Sequence, residues 1–391
     1  MKKIVLAYSG GLDTAVAVKW LKEKGFSVIC YMADVGQGQD FSSGKKRAYK
    51  AGATKVIIGD LKKEFVNDFV WPSLKANAVY ESKYFLATAL SRPIIAQRLV
   101  EVAHKEKAGF VAHGCTGKGN DQVRFEVSIA ALDPKLKVIA PVREWDLPTR
   151  ESEIRYAKIH RIPIDVTKKK PYSIDKNIWG ISIESGKLED PWFEPKEDAY
   201  QMTVPVEKAP AKPVYLEIYF KNGIPEKING KTYDGFDLIQ KLNEIGGRHG
   251  VGRSDLVEDR LVGIKSREIY EAPGALILHE AHKALESMVL DRETLCFKEL
   301  VSLKYSRLIY DGLWFTLLKS SIDKFIDCTQ KHVCGTARIK LLKGNVFVAG
   351  RKSIYSQYRK ELATYGKGDK FDQSLAKGFI EIFGLPYRKK L

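Results

Sequence analysis

The sequence predicts an α/β protein whose first part forms a mostly parallel sheet covered by helices and whose second part is α+β. Over roughly the first 165 residues, short apolar runs alternate with helical patterns, which is typical of a parallel sheet. Further along the chain the alternation stops, and turn signals such as Asn222-Gly223 indicate antiparallel strands. At 391 residues the chain is also too long for one ordinary domain.

The first part contains five strand patterns. Helical spacing after the first strand predicts a helix from Leu12, and a charged helix is expected over about residues 40–51. A third helix has Pro93 near its first turn. Ligands of such sheets bind beyond the carboxyl ends of the strands, so that edge is where we expect the site. The strand patterns are residues 4–7, 27–32, 55–58, 110–113 and 137–140.

The second part is expected to contain two hairpins and at least three helices. The hairpins turn at Asn222-Gly223 and Gly344-Asn345. The helices are predicted at residues 234–245, where Gly246-Gly247 would end the helix, and at residues 275–290 and 308–327.

Three regions follow from this pattern. Proline and lysine between Pro163 and Pro171, including Lys168-Lys169-Lys170, interrupt the alternation. We therefore expect a first domain over residues 1–165 and a second over residues 166–370. Residues 371–391 form an apolar helical tail that we expect to pack on its own chain or on a neighbour.

Charge and cysteine content limit the class of protein. The net charge is +17, but the lysines are spread along the chain, so we interpret them as a solvated surface that attracts anionic substrates. We expect no nucleic-acid partner and no membrane, because no apolar run approaches the roughly 20 residues of a membrane helix. The five scattered cysteines form no disulfide pattern, and the start of the chain has no signal-peptide cleavage site, so we expect a cytoplasmic protein. His279 and His282 lack the spacing of a helical zinc site.

The strongest motif lies where the first strand ends and a helix begins, at Ala7-Tyr8-Ser9-Gly10-Gly11-Leu12-Asp13-Thr14. Serine and paired glycines allow a tight turn, so that amides at the helix start point to an anion. Asp13 would repel a bare phosphate, and its presence is explained if Mg²⁺ intervenes. A plain glycine turn with Ser9 as the N-cap is the alternative.

This loop resembles the pyrophosphate loop of the N-type ATP pyrophosphatases, and no G-x-x-x-x-G-K-[ST] string occurs in the chain. The resemblance implies an adenine nucleotide alpha hydrolase-like fold for the nucleotide-binding domain. It also implies cleavage of ATP between its α and β phosphates, with AMP passed to a substrate.

A second motif is His113-Gly114-Cys115-Thr116-Gly117-Lys118-Gly119-Asn120-Asp121-Gln122-Val123-Arg124-Phe125-Glu126. Its glycines free the backbone, and its polar side chains place donors, a carboxylate and a guanidinium close together. A site for amino acids needs this mixture, because carboxylates bind Arg, Thr and Asn while an α-amine binds a carboxylate. A polar loop followed by a helix capped by Asn120 or Asp121 is the alternative.

A third motif is charged and contains glycine, and by itself is typical of a surface connection. It runs HGVGRSDLVEDR from His249 and continues into KSREIYEAPG from Lys265. Together the three motifs closely resemble the argininosuccinate synthetase family over essentially the whole chain. The resemblance also covers Trp71-Pro72, Ser91-Arg92-Pro93, VIAPVRE and PYSIDKN.

The resemblance implies a set of site residues. ATP would lie against Ala7, Tyr8, Ser9, Gly10, Gly11, Leu12, Asp13, Thr14, Ala15, Ala33 and Gly114. Aspartate would be held by Thr88, Thr116, Asn120 and Asp121. Citrulline would be held by Tyr84, Asn120, Arg124, Ser173, Ser182, Glu258 and Tyr270. The catalytic residues would be Asp13, Asp121 and Arg124, and Asp13 would hold Mg²⁺ through the ATP phosphates.

The implied reaction joins citrulline to aspartate at the expense of ATP. The ureido oxygen of citrulline attacks the α phosphate, pyrophosphate leaves, and the aspartate amine then displaces AMP. Citrulline, Asp121 or a bound phosphate could take the amine proton, and the residues do not decide between them. The resemblance further implies arginine biosynthesis and a homotetramer.

Two positions depart from the family's usual pattern, since Ala15 and Ala89 stand where hydroxyl residues are common.

Two other interpretations of the chain use the same first loop. A tRNA-modifying ATP pyrophosphatase would need clustered basic and aromatic residues, which the sequence lacks. A nucleotide-binding regulator without catalysis would show loss at Asp13, Asn120, Asp121 or Arg124, and all four are present.

Overall fold

The computed structural model describes residues 1–163 and 172–388. The expected boundary between the first two domains and the Lys168-Lys169-Lys170 run lie outside the described residues. The boundary therefore stays a prediction, while the two architectures on either side of it can be described.

A five-stranded parallel sheet, in the order β3-β2-β1-β4-β5, forms the first part and confirms the predicted α/β class. β1 is central, and Ile4 pairs with Val28 on one side and with Phe110 on the other. The strand order reverses beside β1, and crevices at such points bind ligands. The strands are β1 Lys2–Ala7, β2 Phe26–Asp34, β3 Lys55–Asp60, β4 Phe110–Ala112 and β5 Lys137–Ile139.

Helices cover both faces of this sheet. They are α1 Leu12–Glu23, α2 Phe41–Ala51, α3 Lys62–Glu64, α4 Trp71–Lys75, α5 Ala87–Glu106, α6 Asp121–Leu132, α7 Pro141–Glu144 and α8 Arg150–Ile159. A π-helical stretch, Phe65–Val70, joins α3 to α4. The expectation that Pro93 lies near the first turn of its helix was wrong. α5 begins six residues earlier, because Ala87, Thr88 and Ala89 are buried and their packing outweighs the preference of proline for a first turn.

The second part contains two antiparallel sheets, as the turn signals predicted. One has the order β10-β9-β8-β13-β14 and the other β11-β12-β7-β6. The Asn222-Gly223 turn is confirmed, with φ angles of 50° and 76°. The second hairpin turns one residue earlier than expected, at Lys343-Gly344. The strands are β6 Ser173–Asn177, β7 Gly180–Glu184, β8 Val214–Lys221, β9 Ile224–Ile228, β10 Lys231–Thr232, β11 Arg253–Asp259, β12 Lys265–Glu271, β13 Gly335–Leu342 and β14 Asn345–Lys352.

Two helix boundaries in the second part differ from the expectation. Gly246-Gly247 does not end its helix. A side chain at Gly247 would come within 2.1 Å of the Met202 carbonyl oxygen, so this glycine permits close packing. Residues 308–327 span the end of one helix and the start of another. The helices are α9 Gly235–Arg248, α10 Pro273–Val289, α11 Arg292–Tyr310, α12 Leu317–Gln330, α13 Lys360–Ala363 and α14 Leu375–Phe383.

One apolar core joins the two parts. Phe65, Leu74 and Leu90 of the first part are fully buried in the same cluster as Leu242 and Leu285 of the second. The segment from α3 to the start of α5 therefore packs against the second part, although it precedes β4 in the chain. This packing holds the antiparallel strands against the carboxyl edge of the parallel sheet.

The end of the chain projects from the rest. α14 is amphipathic, yet Phe379 and Ile382 are 66% and 72% exposed. Among the described residues, no helix is long and apolar enough to cross a membrane.

Candidate active site

A cavity of about 720 Å³ lies between the carboxyl edge of the parallel sheet and the antiparallel strands β6, β7, β11 and β12. Most of the predicted site residues line it. From the first part these are Ala7, Tyr8, Ser9, Gly11, Asp13, Thr14, Ala33, Tyr84, Thr88, Gly114, Thr116, Asn120, Asp121 and Arg124. From the second part they are Ser173, Ser182, Glu258 and Tyr270.

The loop between β1 and α1 lines the cavity where α1 begins. Gly10 has a φ of 84°, a left-handed conformation that favours glycine. Gly11, not Ser9, is the N-cap residue of α1, and it makes no side-chain capping hydrogen bond. The Ser9 and Thr14 hydroxyl oxygens lie 3.1 Å apart at the entrance to the loop. The Gly11 amide donates to the Ser9 hydroxyl over a long 3.3 Å. Backbone amides at a helix start favour an anion.

Asp13 faces a second carboxyl group, that of Glu153 on α8. The Glu153 side chain is buried, and its Oε2 atom has no hydrogen-bond partner. Burial, followed by the hydrogen bond to Asp13 and its charge, raises the pKa of Glu153 to about 8. A buried oxygen without a donor beside a second carboxyl group is a suitable environment for a divalent cation.

The glycine loop between β4 and α6 is anchored to the second part by Asn120. Its amide nitrogen donates to the Tyr310 hydroxyl at 2.7 Å, and its amide oxygen accepts from the Leu261 backbone at 2.9 Å. Asn120 precedes α6, but its side chain does not cap the helix. The loop therefore serves the contact between the two parts and not only the start of the helix.

Asp121 sits between two guanidinium groups. Arg92 donates to one carboxylate oxygen at 2.7 Å and Arg124 donates to the other at 2.9 Å. Arg92 also pairs with Asp175 of β6. Burial alone would raise the pKa of Asp121, but the Arg92 and Arg124 charges outweigh it and lower the pKa to about 2. Asp121 is therefore an ionised carboxylate whose two oxygens are both occupied.

Arg124 also has an unused donor. Its Nε atom donates to the Tyr310 carbonyl at 2.8 Å, while its Nη2 atom is buried without a hydrogen-bond partner. The residue is only 4% exposed and lines the cavity. An unsatisfied guanidinium N–H at this position costs free energy, which an anionic ligand would recover.

Glu258 is held on the opposite wall by two tyrosines. Tyr270 donates to one of its oxygens at 2.6 Å and Tyr310 donates to the other at 2.7 Å. Arg260 pairs with the neighbouring carboxylates Glu184 and Glu268. This wall therefore carries three carboxylates and one guanidinium, an excess of negative charge that favours an ammonium group.

The carboxylates beside Arg260 have perturbed pKa values. Burial, followed by the Glu258 charge, raises the pKa of Glu268 to about 7. Burial, followed by the charge of Glu268, also raises the pKa of Glu184. Their proximity makes complete ionisation of this wall unfavourable unless a cation joins it.

α5 completes the cavity. The Thr88 and Ser182 hydroxyl oxygens lie 2.9 Å apart, so a hydrogen bond joins α5 to β7. The Tyr84 and Tyr270 rings stack with a centroid separation of 4.2 Å. Both contacts join the first part of the chain to the second at the cavity wall.

Three predicted nucleotide-binding residues do not line the cavity: Gly10, Leu12 and Ala15. The side chains of Leu12 and Ala15 are buried on the core side of α1, so only their backbone atoms remain candidates for contact with a nucleotide. Ala89, the other departure from the family pattern, is fully buried and also lies outside the lining.

The sequence interpretation missed several lining residues. Four of them lie within motifs that carry the family resemblance: Arg92, Asp175, Arg260 and Glu268. Their charge within those motifs could have identified them. Glu153, which lies beside Asp13 but outside the cavity lining, had no such signal, because only the fold brings α8 beside the first loop.

The fold and the cavity together define an α/β nucleotide-binding enzyme whose β1–α1 loop opens into a cleft shared with the second part of the chain. Two family models match the chain in the same order. The arginosuccinate synthase N-terminal HUP domain matches residues 3–163, and the arginosuccinate synthase C-terminal domain matches residues 172–390.

Curated relatives match over nearly the full length. The argininosuccinate synthase of Caldanaerobacter subterraneus subsp. tengcongensis is 57% identical, covering 98% of this chain and 94% of that protein. The argininosuccinate synthase of Carboxydothermus hydrogenoformans is 55% identical, covering 99% and 97%. That of Thermoanaerobacter sp. is 56% identical, covering 100% and 95%. The chain belongs to the argininosuccinate synthase family, and it is a ligase that forms a carbon–nitrogen bond.

Among solved structures, a predicted subunit of a tRNA methyltransferase from Methanocaldococcus jannaschii aligns with 41% of this chain and 76% of that chain. The TM-score is 0.29 and the sequence identity 13%.

Proposed function

We propose that the cavity binds ATP, citrulline and aspartate together and that the chain condenses the two amino acids to argininosuccinate. The reaction proceeds through a citrullyl-adenylate, releases AMP and pyrophosphate, and serves arginine biosynthesis. The observation that carries this proposal is the single cavity shared by an anion-binding loop, a paired set of guanidiniums and an acidic wall. These are the chemical complements of a triphosphate, amino-acid carboxylates and an α-amine.

The nucleotide is assigned to the β1–α1 loop. The amides of Gly11 to Thr14 and the hydroxyls of Ser9 and Thr14 would bind the phosphates at the start of α1, where the helix dipole favours negative charge. Ala33, at the carboxyl end of β2, and Gly114, which follows β4, would border the adenosine.

Mg²⁺ fits beside this loop. Asp13 and Glu153 provide two carboxyl groups, and Glu153 Oε2 has no other partner. The described residues contain no cluster of three or more protein metal ligands, so the phosphates would supply other oxygens. When bound, the cation would offset the charge of the leaving pyrophosphate.

The two amino acids are assigned to the remainder of the cavity. The free Arg124 Nη2 atom is suited to the citrulline carboxylate, and Glu258, with Ser173 and Ser182 nearby, to its α-amine. Thr88, Thr116, Asn120 and Asp121 line the part of the cavity assigned to aspartate. Alignment of three substrates supplies much of the rate gain, since bringing reactants together is entropically costly in solution.

The reaction balances in two steps. The ureido oxygen of citrulline forms a bond to the α phosphorus while the bond to the pyrophosphate oxygen breaks. The aspartate amine then forms a bond to the ureido carbon, the carbon–oxygen bond breaks, and AMP leaves with that oxygen. One amine proton must be released. Asp121 is assigned to binding and not to accepting this proton, because its pKa is about 2 and both of its oxygens accept from guanidiniums.

Isotope transfer tests the reaction directly. With citrulline labelled with ¹⁸O in the ureido group, the label should appear in the phosphate of AMP. Citrulline alone should also support exchange of labelled pyrophosphate into ATP. Unlabelled AMP, or nucleotide cleavage that ignores both amino acids, would contradict the proposal, and cleavage stimulated by tRNA would instead support a tRNA-modifying enzyme.

The chain is further proposed to form a homotetramer in the cytoplasm. Phe297 and Leu300 on α11 are 55% and 65% exposed, and α14 carries an exposed apolar face. Apolar surface of this kind marks protein interfaces. All five cysteines are free thiols, which suits a reducing compartment. A sedimentation measurement that gives a stable monomer would contradict the tetramer.

A further inference from the structure

Arg143 lies outside the cavity lining, on α7, yet it connects to both ends of the glycine loop that follows β4. The loop carries Thr116 and ends at Asn120, both of which line the cavity. Thr116 and Asn120 are residues to which the proposed function assigns aspartate, and the inference rests on that assignment.

The first connection passes through Gln122. Its amide nitrogen donates to the carbonyl oxygens of Gly117 at 2.6 Å and Gly119 at 3.2 Å. Its amide oxygen accepts from Arg143 Nη1 at 2.8 Å. A guanidinium only donates, so Arg143 fixes the orientation of the amide and directs the Gln122 nitrogen at the loop.

The second connection passes through Glu126. Its Oε1 atom is 2.7 Å from Arg143 Nη2 and 3.1 Å from His113 Nε2. The Cys115 backbone N–H donates to His113 Nδ1 at 3.2 Å, so Nε2 carries the ring proton and donates to Glu126. The His113 side chain is 99% buried, which holds this relay in place.

The Arg143 stem completes the support. A side-chain carbon at Gly117 would lie 3.9 Å from the Arg143 Cγ and Cδ atoms, so the stem runs over the middle of the loop. Within the loop itself, the Gly119 amide donates to the Thr116 carbonyl over a long 3.4 Å. The conformation of the loop therefore depends on side chains outside it.

We propose that Arg143 is a positioning residue for the aspartate subsite, acting through Gln122 at one end of the loop and through Glu126 and His113 at the other. One planar guanidinium holds both supports of the loop, with one nitrogen on Gln122 and the other on Glu126. A lysine at this position retains the charge but lacks the rigid planar fork that spans both supports, so it holds them less well.

The test compares steady-state kinetics of Arg143→Met, Arg143→Lys and a matched control, Arg155→Met, which alters an exposed arginine of α8. In Arg143→Met, the KM for aspartate should rise about 10- to 100-fold, as expected for a displaced binding group, with the KM for citrulline changed about threefold or less. Arg143→Lys should be intermediate, and the control should match the parent chain. Gln122→Glu, which places an oxygen against two carbonyls, should reproduce the aspartate defect.

Melting temperatures separate positioning from stability. An Arg143→Met variant with an unchanged KM for aspartate, or with activity lost only in proportion to unfolding, would overturn the inference. Thr116→Ala distinguishes this failure from failure of the proposed function. If Thr116→Ala raises the KM for aspartate and Arg143→Met does not, the positioning role alone is wrong. If Thr116→Ala has no effect, the assignment of aspartate to this loop is wrong.

Discussion

At the scale of single residues, the charged side chains of the site differ in whether their hydrogen-bonding atoms already have partners within the protein. Asp121 has both oxygens occupied, whereas Arg124 keeps a buried N–H without a partner and Glu153 keeps a buried oxygen without a donor. Unsatisfied buried polar atoms are costly, and beside a ligand site they indicate what a ligand must supply. They point to an anion beside Arg124 and a cation beside Glu153.

Asp13→Ala should abolish adenylation without altering the fold. Loss of a group that stabilises leaving-group charge costs about 10²–10³-fold or more in rate. The measurement is citrulline-dependent exchange of pyrophosphate into ATP, with circular dichroism as the check on folding. Glu151→Ala, which removes an exposed carboxylate of α8, is the control and should be fully active. Near-normal turnover of Asp13→Ala would refute the role of Asp13.

Asp121→Asn should lower kcat/KM for aspartate by the same factor across the working pH range. A group whose pKa is lowered stays ionised as the pH falls until it reaches that pKa, here about 2 against a usual 3.8. The Arg92 and Arg124 pairs therefore persist at every pH above about 4. The check is a pH profile of both proteins between about pH 5 and 9. If kcat/KM of the parent protein falls at one end of this pH range and that of the variant does not, Asp121 titrates during catalysis.

At the scale of elements, buried charge joins the helices of the second part. Lys298 of α11 and Glu286 of α10 lie 2.9 Å apart, with side chains 2% and 3% exposed. His282 adds to this network, since its two ring nitrogens lie 2.8 Å from the Asn77 amide oxygen and 2.7 Å from that of Gln330. The network accounts for the burial of this histidine.

Glu286→Leu should be strongly destabilising, because it leaves the Lys298 charge buried and unpaired. A loss of about 3–5 kcal/mol in the free energy of unfolding is expected for such a change. Replacing both partners, with Glu286→Leu and Lys298→Met, should recover most of that loss. Denaturant unfolding measures both values. A double variant no more stable than Glu286→Leu would show that the unpaired Lys298 charge does not cause the loss.

At the scale of the whole molecule, the site exists because the two parts share one core. The segment from α3 to α5 packs with α9 and α10, and the Tyr80 and Tyr310 rings stack 3.6 Å apart. Tyr310 then contacts Asn120 and Glu258 at once. The cavity walls are therefore fixed relative to each other by apolar packing beside the site.

Removal of residues 371–391 should lower the oligomeric state while leaving the fold of the remaining chain intact. The exposed face of α14 contributes little to the core of its own chain, so its apolar area is available to a neighbour. Sedimentation velocity and circular dichroism of the truncated chain are the measurements. A truncated chain that remains tetrameric would show that other surfaces, such as α11, are sufficient.

The sequence by itself determined the parallel sheet, the glycine turn between β1 and α1 and the hairpin at Asn222-Gly223, because periodicity and turn chemistry are local. Only the tertiary structure decided that Gly246-Gly247 lies within a helix, that Glu153 faces Asp13, and that Arg143 supports the glycine loop. Each of these depends on a contact between residues far apart in the chain. Packing across such distances outweighs local preference, and no pattern within one segment records which distant side chain will meet it.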